Sequence, residues 1–227
     1  MAEDSVAAAQ AVLGGTNAAE TMAVEQQLQA STVTHKTFDE LTDIVAEQQI
    51  DLEQLQAETI EMANNSCDEQ WRMQYDAVMN LRILNKFYFH VFEQIIDQLS
   101  VFISKQIDNL RSNNSRNALA LFQEVFCNNA DKCPEGLKIS DTWAVFIDAN
   151  IPSVIKLTVA DKKFLSLVAQ KGLLAVAEVS PIPVTSSNLC KSVSSKNVVL
   201  AEHAVKSLEV LVKAANPALF HEPHHEE

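Results

Sequence analysis

The chain has 227 residues, 47% hydrophobic and 21% charged, which is enough apolar material for a sizeable core and excludes wholesale disorder. Its 4 glycines and 6 prolines are too few for a sandwich, a barrel or a doubly wound sheet, all of which need frequent tight turns, and no GxGxxG or GxxxxGK(S/T) phosphate loop occurs. The net charge of −13 is uneven: residues 1–70 hold one base, Lys36, against fourteen acids, whereas residues 71–220 hold sixteen bases against thirteen acids, so the central block is mildly basic.

Residues 1–36 are rich in Ala, Gln, Thr and Glu around Gly14-Gly15, bury little area and are expected to form a flexible arm. Thr37-Phe-Asp-Glu40 has the form of a capping box, in which the Thr hydroxyl accepts from the Glu40 amide while the Glu side chain reaches back. Behind it Phe38, Leu41, Ile44, Val45, Leu52, Leu55 and Ile60 recur at roughly helical spacing, with acids on the other face. This acidic segment, 37–66, is predicted to be one long helix, or two broken near Ile50, ending before Asn64-Asn65-Ser66.

From Asp68 the pattern predicts helices separated by short polar breaks. Asp68 is placed to cap a helix reaching about Lys86, with Tyr75, Val78, Leu81 and Leu84 along one side. Phe87–Leu110 follows, carrying Val91, Ile95, Leu99, Phe102 and Ile103. The break Arg111-Ser-Asn-Asn-Ser115 leads to a helix with Ala118, Leu119, Phe122, Val125 and Phe126. Pro134 and Gly136 mark Asn128–Lys138 as a loop. Ser140–Val159 is a helix that Pro152 kinks or restarts, and Asp161 is placed to cap Lys162–Val179. Pro181 and Pro183 mark a turn, a shorter helix spans about Thr185–Val193, and Ser194 and Ser195 open a last helix to Ala215. An acidic, His-containing tail, 217–227, closes the chain. Paired helices repeating every ~40 to 50 residues are the mark of a HEAT-type α-solenoid, although a plain helix bundle fits the periodicity nearly as well. The fold class is all-α.

The breaks before alternate helices each carry a donor or a cation: Trp71-Arg72, Arg111-Ser-Asn-Asn-Ser-Arg116, Ala160-Asp-Lys-Lys163 and Ser194-Ser-Lys-Asn197. The segments WRMQYDAVMNLRIL, LRSNNSRNALALFQEVF, IPSVIKLTVADKKFLSLVAQKGLLAV and SSKNVVLAEHAVKSLEVLV resemble, in order and spacing, the TOG domains of the CLASP and crescerin families. The resemblance covers about residues 68–216, is carried most specifically by LRSxxSRxA, and corresponds to a shortened TOG paddle with Leu200 where the family often places a base. It implies a TOG-like HEAT-repeat domain at 67–216 that binds tubulin or the microtubule lattice through one edge. On that pattern Trp71 is the aromatic anchor with Arg72 beside it, Asn113 and Asn114 are second-turn contacts, Lys162 and Lys163 third, and Lys196 and Asn197 fourth. It further implies a cytoplasmic, cytoskeletal protein, suited to a stable microtubule structure such as the ciliary axoneme.

Each residue also has an ordinary explanation: Trp71 packing within its own domain, Arg111 and Arg116 bonding acids on neighbouring helices, Lys162 and Lys163 as solvated surface. The competing function is a HEAT scaffold or adaptor that docks another protein through the apolar residues of 38–62. No enzyme, cofactor or metal site is expected. His221-Glu-Pro-His-His225 matches HExxH only as text, because Pro223 interrupts the helix that would align two His ligands. The cysteines at 67, 127, 133 and 190 form no CxxC pair and read as reduced thiols, and no nucleic-acid or membrane partner is implied. The start, Met1-Ala-Glu-Asp, lacks the basic and apolar regions of a signal peptide, so an intracellular protein is expected.

Overall fold

Short polar side chains decide where several of the helices begin in the computed structural model, which describes residues 35–67, 69–128, 141–180 and 183–215. The chain divides into two units, Met1–His35 and Lys36–Glu227. Nearly all of the expected flexible arm lies outside the described residues, as do Asp68, the loop beyond Asn128, Pro181 and the tail 217–227. The described residues contain nine α-helices and no strand: α1 Ile44–Gln48, α2 Leu52–Asn65, α3 Trp71–Phe87, α4 Phe89–Ile107, α5 Ser112–Asn128, α6 Asp141–Leu157, α7 Lys163–Val179, α8 Pro183–Val193 and α9 Val198–Ala215.

The break near Ile50 is real and has a backbone cause. Gln49 ends α1 in the left-handed region, at φ 54°, and Asp51 then starts α2 by accepting the Glu53 N–H at 3.2 Å. The capping box forms only in part. Glu40 accepts from the Thr37 N–H (2.7 Å) and hydroxyl (2.8 Å), but a turn follows, and α1 waits for Asp43, which accepts the Val45 and Ala46 amides. Asp161 does not cap the seventh helix: Lys162 holds the cap position without a side-chain bond, and Ser166 donates to the Thr158 carbonyl at 2.6 Å. Asn197, not Ser194 or Ser195, caps α9, accepting from the Val199 and Leu200 amides at 3.1 and 3.2 Å. Pro152 neither ends nor restarts α6. Its ring is exposed while Ile151, Val154 and Ile155 are buried around it, so core packing holds the helix through the missing donor.

Alternate helices pack side by side, giving one row α3, α5, α7, α9 and another α2, α4, α6, α8. Several hydrogen bonds between neighbours in a row join residues that sit at matching places along their helices. Between α3 and α5 they link Trp71 to Asn114, Tyr75 to Asn117 and Arg82 to Glu124, 42 or 43 positions apart; between the ends of α4 and α6 they link Ser104 to Ser153, Asp108 to Lys156 and Glu93 to Trp143, 48 to 50 apart. Neighbours in a row therefore run parallel. The rows meet over a core that includes stacked and tilted rings of Phe89, Phe92, Phe122, Phe126, Trp143 and Phe146. Gly172 lets α7 lie tight against α5, since a Cβ there would stand 3.1 Å from the Phe122 ring.

One charged pair is sunk in this apolar setting. Arg82 is fully buried on α3, and its guanidinium grips Glu124 of α5 with two bonds, Nε to Oε2 at 2.9 Å and Nη2 to Oε1. Its remaining donors reach Asn117 Oδ1 (2.9 Å) and the Lys36 carbonyl (2.9 Å). Burial lifts the Glu124 carboxyl above its ordinary range, while the bonds and charge of Arg82 pull it back. Farther along α3, Lys86 donates to the carbonyls of Phe38, Asp39 and Leu41, and just past the helix end Tyr88 donates its hydroxyl to Asp43. The acidic segment is thus fastened down by α3, and Leu41, Leu55 and Ala63 are buried with the rest of the unit.

Removing one partner of such a pair strands a charge without water. Arg82→Ala and Glu124→Ala are each expected to cost about 3–5 kcal/mol in urea unfolding. The double variant Arg82→Met with Glu124→Leu is expected to cost far less than either alone, because neither charge remains.

Candidate functional site: the turn edge

Because neighbours in a row run parallel, residues 69–70 and the turns 108–111, 158–162 and 194–197 fall at the same end of the packed helices, where α3, α5, α7 and α9 begin. Trp71 opens α3 half-buried, with the Arg111 guanidinium 5.4 Å above its ring. Its carbonyl accepts from Asn114 Nδ2 at 3.0 Å. Asn109 donates to Gln106 (2.9 Å) and Gln74 (3.3 Å), Gln74 donates to the Cys67 carbonyl (3.0 Å), and Ser115 donates to the Ile107 carbonyl (2.7 Å). The first two turns are therefore stitched together by carboxamides and a hydroxyl, with no charge consumed.

The third turn is tied to the second. Lys162 donates to the Ser112 hydroxyl, and Arg116 lies 5.4 Å over the Phe164 ring. On the other row, Asp108 is held by Lys156 (2.9 Å) and Ser153 (2.7 Å). In the fourth turn Asn197 is occupied as the α9 cap, and Lys196 is exposed.

Of the residues that the sequence pattern assigned to this edge, Arg72, Asn113, Lys162, Lys163, Lys196 and Asn197 are exposed there. Arg72 spends part of its charge on Asp76, 3.3 Å away one helical turn on. Burial raises the Asp76 carboxyl against the pull of Arg72. Asn114 is not a surface donor. It is buried, and its amide is committed to Trp71 and Gln106, because it closes the joint between α3, α4 and α5. Among the described residues Arg111 and Arg116 bond no acid on a neighbouring helix; the guanidinium of each lies over an aromatic ring.

Sequence reasoning missed the apolar half of this edge. Leu110 is 98% exposed, Val198 78%, Val199 52% and Phe164 40%. The sequence pattern predicts this helix as far as Leu110, whereas α4 stops at Ile107 and Leu110 stands out in the turn. Its position just after Asp108-Asn109, two turn formers, was the available signal. Every turn thus offers an apolar side chain beside a cation: Trp71 with Arg72, Leu110 with Arg111, Phe164 with Lys163, and Val198 with Lys196.

Among the described residues no group of three His, Cys, Asp or Glu side chains is placed to hold a metal, and no helix is long and apolar enough to cross a membrane. The chain matches no protein-family model and no curated protein.

Two adjacent asparagines separate the edge's packing from its surface. Asn114→Ala is expected to destabilise the unit by about 1–2 kcal/mol, by leaving the Trp71 carbonyl and Gln106 short of a donor. Asn113→Ala is expected to stay within about 0.5 kcal/mol of the parent. Urea unfolding followed by circular dichroism reads both.

Proposed function

We propose that this protein is a non-enzymatic binding protein, a shortened TOG-like HEAT solenoid that engages tubulin or the microtubule lattice through its turn edge. The observation that carries this reading is the pairing, turn after turn, of an exposed or half-exposed apolar side chain with a cation. Apolar anchors set among charges are the arrangement of interface hot spots, and the cations favour and steer an acidic partner. The parallel packing within each row and the offsets of 35 to 50 residues between bonded neighbours support a repeat solenoid over an irregular bundle. Tubulin is the partner that the sequence resemblance to TOG domains names. A short edge of four turns suits a component seated in an existing microtubule structure, such as an axoneme, where neighbouring proteins add contacts.

The competing scaffold function, docking through the apolar residues of 38–62, has less support, because much of that surface is turned to the core. Leu41 and Leu55 are buried, and Ile44, Val45, Leu52 and Ile60 pack against the core.

The test is co-sedimentation of the full chain with taxane-stabilised microtubules, alongside size-exclusion binding to free tubulin. Binding to at least one form is expected, weakening as salt is raised. The triple variant Lys162→Glu, Lys163→Glu, Lys196→Glu is expected to lose that binding by about a hundredfold while unfolding at the parent urea concentration, since all three side chains are exposed. No binding to either form by the parent, or unchanged binding by the triple variant, overturns the reading.

A further inference from the structure

Next to the second turn, α2, the C-terminal half of α4 and the residues 108–111 enclose a cleft of about 950 Å³. Its floor is fixed, because Gln74, Gln106 and Asn109 are bonded to one another through their carboxamides. Its walls are not neutral. Lys105 and Arg111 line it and have no acidic partner among the described residues, while the one acid of the lining, Asp108, is ion-paired with the exposed Lys156 and bonded by Ser153, so cations outnumber acids there. Between the two cations lie apolar surfaces that the core leaves uncovered: Val101, 63% exposed, the partly buried Phe102, and Leu110. Asn64 and Gln98 stand on opposite walls, each offering a donor and an acceptor.

We infer that this cleft takes an extended acidic peptide bearing apolar side chains, presented by the protein that docks on the turn edge. The chemistry selects such a ligand feature by feature. Two cations with no acidic partner among the described residues call for carboxylates. The uncovered patch of Val101, Phe102 and Leu110 calls for an apolar side chain, worth about 25 cal/mol for each Å² it covers. Free carboxamides on both walls match the alternating donors and acceptors of an extended backbone. An acidic peptide alone leaves the patch wet, and an apolar peptide alone leaves the cations without counter-charge. The cleft opens to the edge at Leu110 and Arg111, so one partner can occupy both; in that respect the inference rests on the edge being a docking surface.

Fluorescence anisotropy of labelled peptides on the full chain tests it. The probes are an alternating Glu-Phe peptide, a Gln-Phe peptide without charge and a Glu-Gly peptide without apolar side chains. The Glu-Phe peptide is expected to bind at least tenfold more tightly than either of the others. Lys105→Glu and Val101→Ser, both at exposed positions, are each expected to weaken it by about tenfold or more, whereas Lys163→Glu, which does not line the cleft, leaves it unchanged. Equal binding of the Gln-Phe or Glu-Gly peptide, insensitivity to Lys105→Glu, or an equal loss with Lys163→Glu overturns the inference. The two readings fail separately. Peptide binding that depends on Lys105, in a protein that ignores tubulin and microtubules, keeps the cleft and removes the tubulin edge. Microtubule binding lost by the edge variant, with no selective peptide binding, does the reverse.

Discussion

A guanidinium with no water around it must be satisfied from every side, and Arg82 draws three parts of the chain together in meeting that demand. Glu124 and Asn117, two turns apart on α5, take its fork and one further donor, and the Lys36 carbonyl takes another. Asn117 in turn donates to the Tyr75 carbonyl at 3.1 Å. These contacts leave α5 little freedom to slide along α3, and in that register the start of α5 comes level with Trp71, where Asn114 closes the joint. Helix rise is about 1.5 Å per residue, so a slip of one turn would move the two helix starts apart by about 5 Å. The alignment of the edge is therefore set partly from the core.

The edge gains its character from what the turns do not need. Carboxamides and hydroxyls meet the buried backbone groups there, and helix α9 starts on Asn197, so no lysine or arginine of the edge is needed as a helix cap and Lys163 and Lys196 face solvent. Arg111 and Arg116 lie on aromatic rings, which hold the charge near the surface without cancelling it. Apolar residues that a monomer would usually cover, Leu110 above all, stand in the same turns. At the opposite end of α3, its cations do the contrary work: Lys86 is bonded to three carbonyls of the acidic segment, and this keeps residues 38–41 in place on the unit.

Periodicity made the helical class and most helix positions legible, because buried residues at spacings of three and four leave a clear trace in Val78, Leu81, Ile95, Leu99, Phe122 and Phe126. Starts were less legible. Asp161 and Ser195 have the chemistry of caps, but which polar residue serves depends on where the preceding turn delivers the chain, and this placed Asn197 at α9 and left α7 uncapped. The exposed lysines of the edge were readable because cations beside helix breaks are surface residues by default. Asn114 was misread, since nothing local separates a buried carboxamide from its exposed neighbour Asn113. The Arg82–Glu124 pair was missed for a similar reason: two charges 42 residues apart reveal their pairing only once α3 and α5 are side by side.

Hydrogen-exchange mass spectrometry of the full chain, with and without saturating microtubules, tests the central claim most directly because it reads position rather than affinity. The account predicts slowed exchange in 66–74, 108–116, 158–166 and 194–200, with 36–48 and 178–186 unchanged. Slowed exchange confined to 36–48 and 178–186, or none in the four turns of a protein that does bind, would contradict it.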